Sequence, residues 1–218
     1  MTVYLISGLG ADERIFQWLD LSPWKVIPLP WLIPEATDSI PDYAQKLSTR
    51  IDASEPFVLI GLSFGGVIAQ EVARWVAPQQ TILLSSFKGH HELPPWIRRA
   101  GRWRAHRLLP VSWLKTIGNK LTPLFSLKTN AFKQVYYAML ADSDVRLLNW
   151  SIDRLLAWRN LEPDPSVIHI HGTRDRLLPY RFVHATHAIP GAGHMAVAEH
   201  AAEISTLLRE LIPIPSEA

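Results

Sequence analysis

Apolar positions fall into short runs over the first 85 residues, spread into helical stripes through the middle, and return to short runs after residue 165. Val3-Tyr4-Leu5-Ile6 reads as a buried strand, closed by the tight loop Ser7-Gly8-Leu9-Gly10. Residues 15–19 form a short amphipathic turn or helix, and residues 24–29 a second strand. Prolines at 28, 30 and 34 keep the following segment a loop. Ser39 is an N-cap with Pro41 in the first turn; Ile40, Tyr43, Leu47 and Ile51 then recur at helical intervals, predicting a helix with one buried face. Phe57-Val58-Leu59-Ile60 is the next strand, Val67, Ile68, Ala69, Val72 and Ala73 lie on a helical pattern, and residues 81–85 make another strand. Strands and helices alternate, with crossovers long enough for parallel pairing.

That rhythm breaks at Phe87. From there to Asn160 the pattern predicts no strand: Pro94-Pro95-Trp96 opens a helix that Pro110 stops, and further helices are expected near 111–120, 131–140 and 144–158. Five tryptophans (96, 103, 113, 150 and 158) fall in this insert. Strand character resumes over residues 166–170, followed by His171-Gly172-Thr173-Arg174-Asp175, and a last strand covers 185–189. Pro190-Gly191-Ala192-Gly193-His194 is a loop, Ile204, Leu207, Leu208 and Leu211 mark a terminal helix, and residues 213–218 read as a disordered tail. The prediction is one α/β domain over 1–218, mostly parallel, with a helical insert at 87–160.

Gly61-Leu62-Ser63-Phe64-Gly65-Gly66 joins the third strand to its helix. A strand-to-helix turn carrying one serine leaves no room for side chains beside it, so small residues must flank Ser63. Gly-x-Ser-x-Gly alone recurs by chance in about one chain of this length in fifteen, so the context decides. A serine becomes a strong nucleophile only when a base takes its proton, and the base needs a carboxylate to fix its tautomer. Both partners are expected later in the chain, on loops at strand ends. Asp175 and His194 stand in such places.

With these three motifs in order, the chain resembles the α/β-hydrolase superfamily, in a small form with a helical cap. The resemblance implies a mostly parallel sheet flanked by helices, beginning at the family's third strand and so without its leading antiparallel hairpin. It implies Ser63 as nucleophile, His194 as base and Asp175 as the orienting acid. For the oxyanion hole it implies the backbone N–H groups of Phe64 and Leu9, although Ser7-Gly8-Leu9 replaces the usual His-Gly pair. The thirteen residues from Gly172 to His184 leave little space for the helix the family carries there. The expected activity is hydrolysis of a carboxylic ester or thioester with an apolar part, through an acyl-enzyme and with no cofactor. The rivals are an acyltransferase or C–C bond hydrolase with the same triad, and a non-catalytic binding module.

Other polar residues have simpler readings. Glu92, after the 81–85 strand, is the alternative acid. His169 points into or across the sheet and His171 lies near a strand end, both structural. His90-His91 and His184/His187 bring no carboxylate or third ligand at ligand-like spacing in the sequence, so no metal is expected.

Charge changes the picture once. The net charge is +2, yet between Lys88 and Lys133 ten Lys and Arg face a single acid, Glu92. That stretch carries +9 and the rest of the chain −7. Its arginines are either a solvated helix face or an attractor for an anionic substrate; no nucleic-acid motif accompanies them. Cysteine is absent, so disulfides and thiolate metal sites are excluded. With no basic n-region, no cleavage site and no long apolar window, a cytoplasmic location and no membrane span are expected. Oligomeric state stays open.

Overall fold

The computed structural model describes residues 1–102 and 123–214. Six strands form one sheet: β1 (Thr2–Ile6), β2 (Lys25–Pro28), β3 (Phe57–Leu62), β4 (Gln80–Leu84), β5 (Ile168–Gly172) and β6 (His187–Ile189). Their order is β2-β1-β3-β4-β5-β6, and all five pairings are parallel. Among the described residues no antiparallel hairpin adjoins the sheet.

Alternation along the strands divides the interior in two. Val3, Leu5, Val58, Ile60 and Leu62 face one side, where they pack with Ile204 and Leu208 of the terminal helix and with Tyr136 and Met139 of the insert. Tyr4, Ile6, Phe57 and Leu59 face the other, against α1 (Ile40–Ser48) and α2 (Phe64–Val72). β3 is buried at all six positions because helices cover both its faces. The start of α1 follows the expected chemistry. Ser39 accepts from the Asp42 amide, Asp42 accepts from the Ser39 amide, and Pro41 occupies the first turn.

Between β4 and β5 the described residues contain no strand. They form a single-turn 3₁₀ helix (His90–Glu92), α3 (Pro95–Arg102), α4 (Asn130–Asp142) and α5 (Val145–Ala157). The helix expected near 111–120, with Trp103, Trp113, Arg104 and Arg107, lies outside the described residues, as do the last four residues of the tail. α4 and α5 reach back over the β1 loop: Leu140 and Leu148 sit against Gly10, whose φ of +71° puts it in the left-handed region. Trp150 donates to the Asp38 carbonyl at 2.9 Å.

The β5–β6 crossover holds only a 3₁₀ turn, Tyr180–Phe182, in place of a helix, as its short length predicts. The terminal helix is longer than its apolar stripe suggests and is preceded by a separate turn: α6 is Ala196–Glu199 and α7 is Ala201–Leu211. No helix among the described residues is long and apolar enough to cross a membrane.

Candidate active site

Ser63 stands between β3 and α2 with φ 52° and ψ −118°, a conformation costly for a residue with a Cβ. The flanking sequence makes it attainable. A Cβ on Gly61 would lie 2.4 Å from the Gly65 carbonyl oxygen, and one on Gly65 would lie 2.2 Å from that of Ser7. Backbone fills both positions, so the turn closes only with glycine there. The surrounding hydrogen bonds hold it: the Ser63 amide donates to the Leu84 carbonyl at 2.9 Å, and Ser86 Oγ donates to the Ser63 carbonyl at 2.7 Å. Ser63 itself is half-buried.

β5 and β6 deliver the other two groups. Asp175 follows β5 and His194 follows β6, and both are buried. His194 Nδ1 is 2.7 Å from Asp175 Oδ2 and its Nε2 is 3.0 Å from Ser63 Oγ. A carboxylate can only accept, so the His194 proton sits on Nδ1 and Nε2 is free to accept from the serine hydroxyl. Phe125 packs against the His194 ring with centroids 5.8 Å apart. Three residues separated by 131 positions in sequence thus form one hydrogen-bonded line.

Asp175 is fixed from several sides. Its Oδ1 accepts from the amides of Leu177 and Leu178, both at 2.8 Å. Its Oδ2 also lies 3.3 Å from His171 Nε2. Burial alone would raise its pKa; the neighbouring His194, the hydrogen bond to it, His171 and the Leu178 amide outweigh burial and hold the carboxyl below its ordinary range.

His171 and His169 extend the line behind the acid, which the sequence reading did not anticipate. Residues two apart on a strand share a face, so both imidazoles project from β5 to the same side. His171 Nε2 lies 2.8 Å from the Leu178 carbonyl oxygen, and His171 Nδ1 lies 3.0 Å from His169 Nε2. One tautomer set satisfies these contacts: His171 carries its proton on Nε2, and His169 carries its own on Nε2 and donates it to His171 Nδ1. His169 Nδ1 then carries no proton. Burial pushes both imidazoles below the ordinary histidine value, His169 furthest. The alternation of β5 was the available signal; the closeness of Asp175 was not readable from it.

The loop after β1 lies next to the elbow. Ile6 pairs with Gly61 in the parallel register, so residues 7–9 run alongside residues 62–64, and a Cβ on Gly8 would lie 3.4 Å from Ser63 Cβ. Phe64 follows Ser63 in the chain, and Leu9 follows Gly8, the loop residue that reaches Ser63. The Phe64 ring turns away into a cluster, stacked on Trp31 at 5.7 Å and edge-on to Trp150 at 6.2 Å. Glu92, the alternative acid, hydrogen-bonds Lys88 and His184. Arg98 and Arg99 are exposed on α3.

Solved structures share this architecture at low sequence identity. A lipase-esterase related protein from Clostridium acetobutylicum aligns with a TM-score of 0.69 at 18% identity, covering 97% of this chain and 94% of that one. A thermophilic esterase from Thermogutta terrifontis gives 0.69 at 17%, covering 97% and 89%. A hydrolase from Pseudomonas aeruginosa gives 0.73 at 15%, covering 97% and 90%. Comparison with curated protein sequences returns no match. A sequence model of the alpha/beta hydrolase family matches residues 34–207, a span that takes in the elbow, Asp175 and His194 alike, and the chain belongs to that family.

Proposed function

We propose that the protein is a serine hydrolase that cleaves a carboxylic ester or thioester through an acyl-enzyme. The observation that carries this reading is the unbroken line from Asp175 Oδ2 through His194 to Ser63 Oγ, with contacts of 2.7 and 3.0 Å, at an elbow only glycine can close. His194 Nε2 takes the hydroxyl proton as Ser63 Oγ attacks the carbonyl carbon. Asp175 orients the ring and stabilises the imidazolium that forms. The N–H groups of Phe64 and Leu9 stabilise the tetrahedral oxyanion, a kind of contribution worth several kcal/mol per donor (about 3–4). The imidazolium then protonates the leaving alcohol or thiol. Water, deprotonated by His194 in its turn, releases the acid and restores Ser63.

The described parts of the insert, residues 87–102 and 123–160, serve as a cap over this end of the sheet. α4 and α5 reach the β1 loop through Leu140 and Leu148, and Trp150 joins the aromatic cluster around Phe64. The aromatic-rich composition of the insert favours a small-to-medium substrate with an apolar part. The test is turnover of a series of p-nitrophenyl esters by the wild type and by Ser63→Ala and His194→Ala. Either substitution lowers kcat by about 10⁴ or more with the fold intact. Full activity in either variant refutes the reading.

A further inference from the structure

Outside the triad, the structure gathers His91, Glu92 and His184 so that one ligand atom from each lies within 4.8 Å of the other two. We propose that these residues form a binding site for a divalent transition metal of the zinc class.

The three come from segments the sequence keeps far apart. His91 and Glu92 belong to the 3₁₀ turn that begins the insert, while His184 follows the 3₁₀ turn of the β5–β6 crossover. Glu92 is the centre of the site. Its side chain is 1% exposed, a position that a carboxylate holds only with compensation. Its Oε2 accepts from the Lys88 amide at 2.6 Å and its Oε1 from the His184 amide at 2.8 Å, so both oxygens are already oriented by backbone. Outer contacts of this kind fix a ligating carboxylate in place.

His184 Nδ1 stands 3.0 Å from the same Oε1. Tetrahedral zinc with bonds of 2.0–2.1 Å separates neighbouring ligand atoms by about 3.3 Å. A metal ion can therefore replace the bridging proton with a shift of a few tenths of an ångström (roughly 0.3), the imidazole then carrying its hydrogen on Nε2. His91 completes the set, its ring centroid 5.9 Å from that of His184. Both imidazoles are exposed, His184 at 78%, so each can rotate onto an ion at small packing cost and leave a coordination position for water.

The donor chemistry selects the metal. Two imidazoles and one carboxylate suit zinc, cobalt or nickel, whereas calcium and magnesium require oxygen ligands. The basic stretch around Glu92 opposes any cation and sets a modest affinity. Occupancy would tie the first turn of the insert to the segment that begins at Asp175, whose Leu177 and Leu178 amides hold that carboxylate. The expected result of binding is thus a stiffer link between two distant segments.

The test uses the full chain stripped with EDTA and titrated with Co²⁺ and then Zn²⁺. The expected result is a saturable d–d absorption at one equivalent of Co²⁺, displaced by Zn²⁺. A tenfold excess of Zn²⁺ over Kd should raise Tm by roughly 3–6 °C. His91→Ala and His184→Ala, both surface changes, each weaken binding at least about tenfold. His187→Ala leaves it unchanged. Absence of a one-equivalent spectrum, or binding that survives His184→Ala, overturns the proposal. So does loss of binding on His90→Ala with His91→Ala neutral, which would move the ion elsewhere.

Discussion

Ser63 has an unfavourable backbone and a favourable neighbour, and the two belong together. The φ of 52° lifts its Oγ clear of the sheet towards His194 Nε2 at 3.0 Å. Asp175 is equally specific: four polar contacts converge on it, from Leu177, Leu178, His171 and His194. Asp175→Asn keeps the shape but favours the wrong His194 tautomer, so kcat on an accepted p-nitrophenyl ester should fall by about 10⁴. Glu92→Gln, assayed in EDTA, should cost at least about a hundredfold less, because the carboxylate of Glu92 is engaged with Lys88 and His184. The reverse ranking would move the catalytic acid to the β4 side of the site.

The paired imidazoles of β5 make a second claim at this scale, about stability. Both are buried, and burial holds each below its ordinary value of 6.5, despite the favourable carboxylate of Asp175 beside His171. The groups around them are Lys88, Asp175, His194 and Glu92. Below pH 6.5 the unfolded chain takes up protons that the folded chain refuses, so stability falls as pH falls from there towards the folded-state values. Each histidine adds a slope of up to about 1.4 kcal/mol per pH unit. Asp175, also held low, adds loss in the same direction at more acid pH. Urea unfolding between pH 7.5 and 5 should show this loss, and His169→Gln should flatten it. A pH-independent stability over that range would mean that the pair is protonated in the fold or solvated.

At the scale of elements, legibility followed the physics of each signal. The elbow could be read because glycine is demanded by backbone approaching within 2.4 Å, and that demand leaves a fixed spacing in the sequence. The α1 cap could be read because Ser39, Pro41 and Asp42 act within one turn. The shortened β5–β6 crossover followed from counting residues. What stayed hidden was tertiary. Nothing in the spacing places His171 beside Asp175, or Glu92 beside His184 across ninety-two positions. The break at His200 that divides α6 from α7 has no proline or glycine to announce it. Gly65→Ala tests the elbow as an element. Its Cβ would meet the Ile6 and Ser7 carbonyl oxygens at 2.3 and 2.2 Å, so α2 must shift as a unit. Stability should drop by about 1–3 kcal/mol, and the Ser63–His194 contact should be lost with it. A stable, fully active Gly65→Ala protein would show that the turn has slack that the packing denies.

For the whole molecule the distinctive property is charge division, +9 between residues 88 and 133 against −7 elsewhere. Arg98 and Arg99 present part of this charge on the exposed face of α3. A field of that kind acts on encounter and fades as the Debye length shortens from about 10 Å at 0.1 M salt to about 3 Å at 1 M. One acyl chain carried on a charged and on a neutral leaving group, compared across a salt series, isolates the effect. If the substrate is anionic, kcat/KM for the charged ester falls with salt and with charge reversal at Arg98 and Arg99, while the neutral ester barely responds. Equal slopes would leave these arginines a solvated helix face.

The central claim is that Ser63 is the activated nucleophile of a serine hydrolase, and its most direct test needs no knowledge of the substrate. A fluorophosphonate probe reacts with a serine whose proton is taken by a neighbouring base. The account predicts one covalent adduct per chain, mapped by peptide sequencing to Ser63 and abolished in Ser63→Ala and His194→Ala. An adduct on Ser85 or Ser86, or labelling that persists without Ser63, would contradict it.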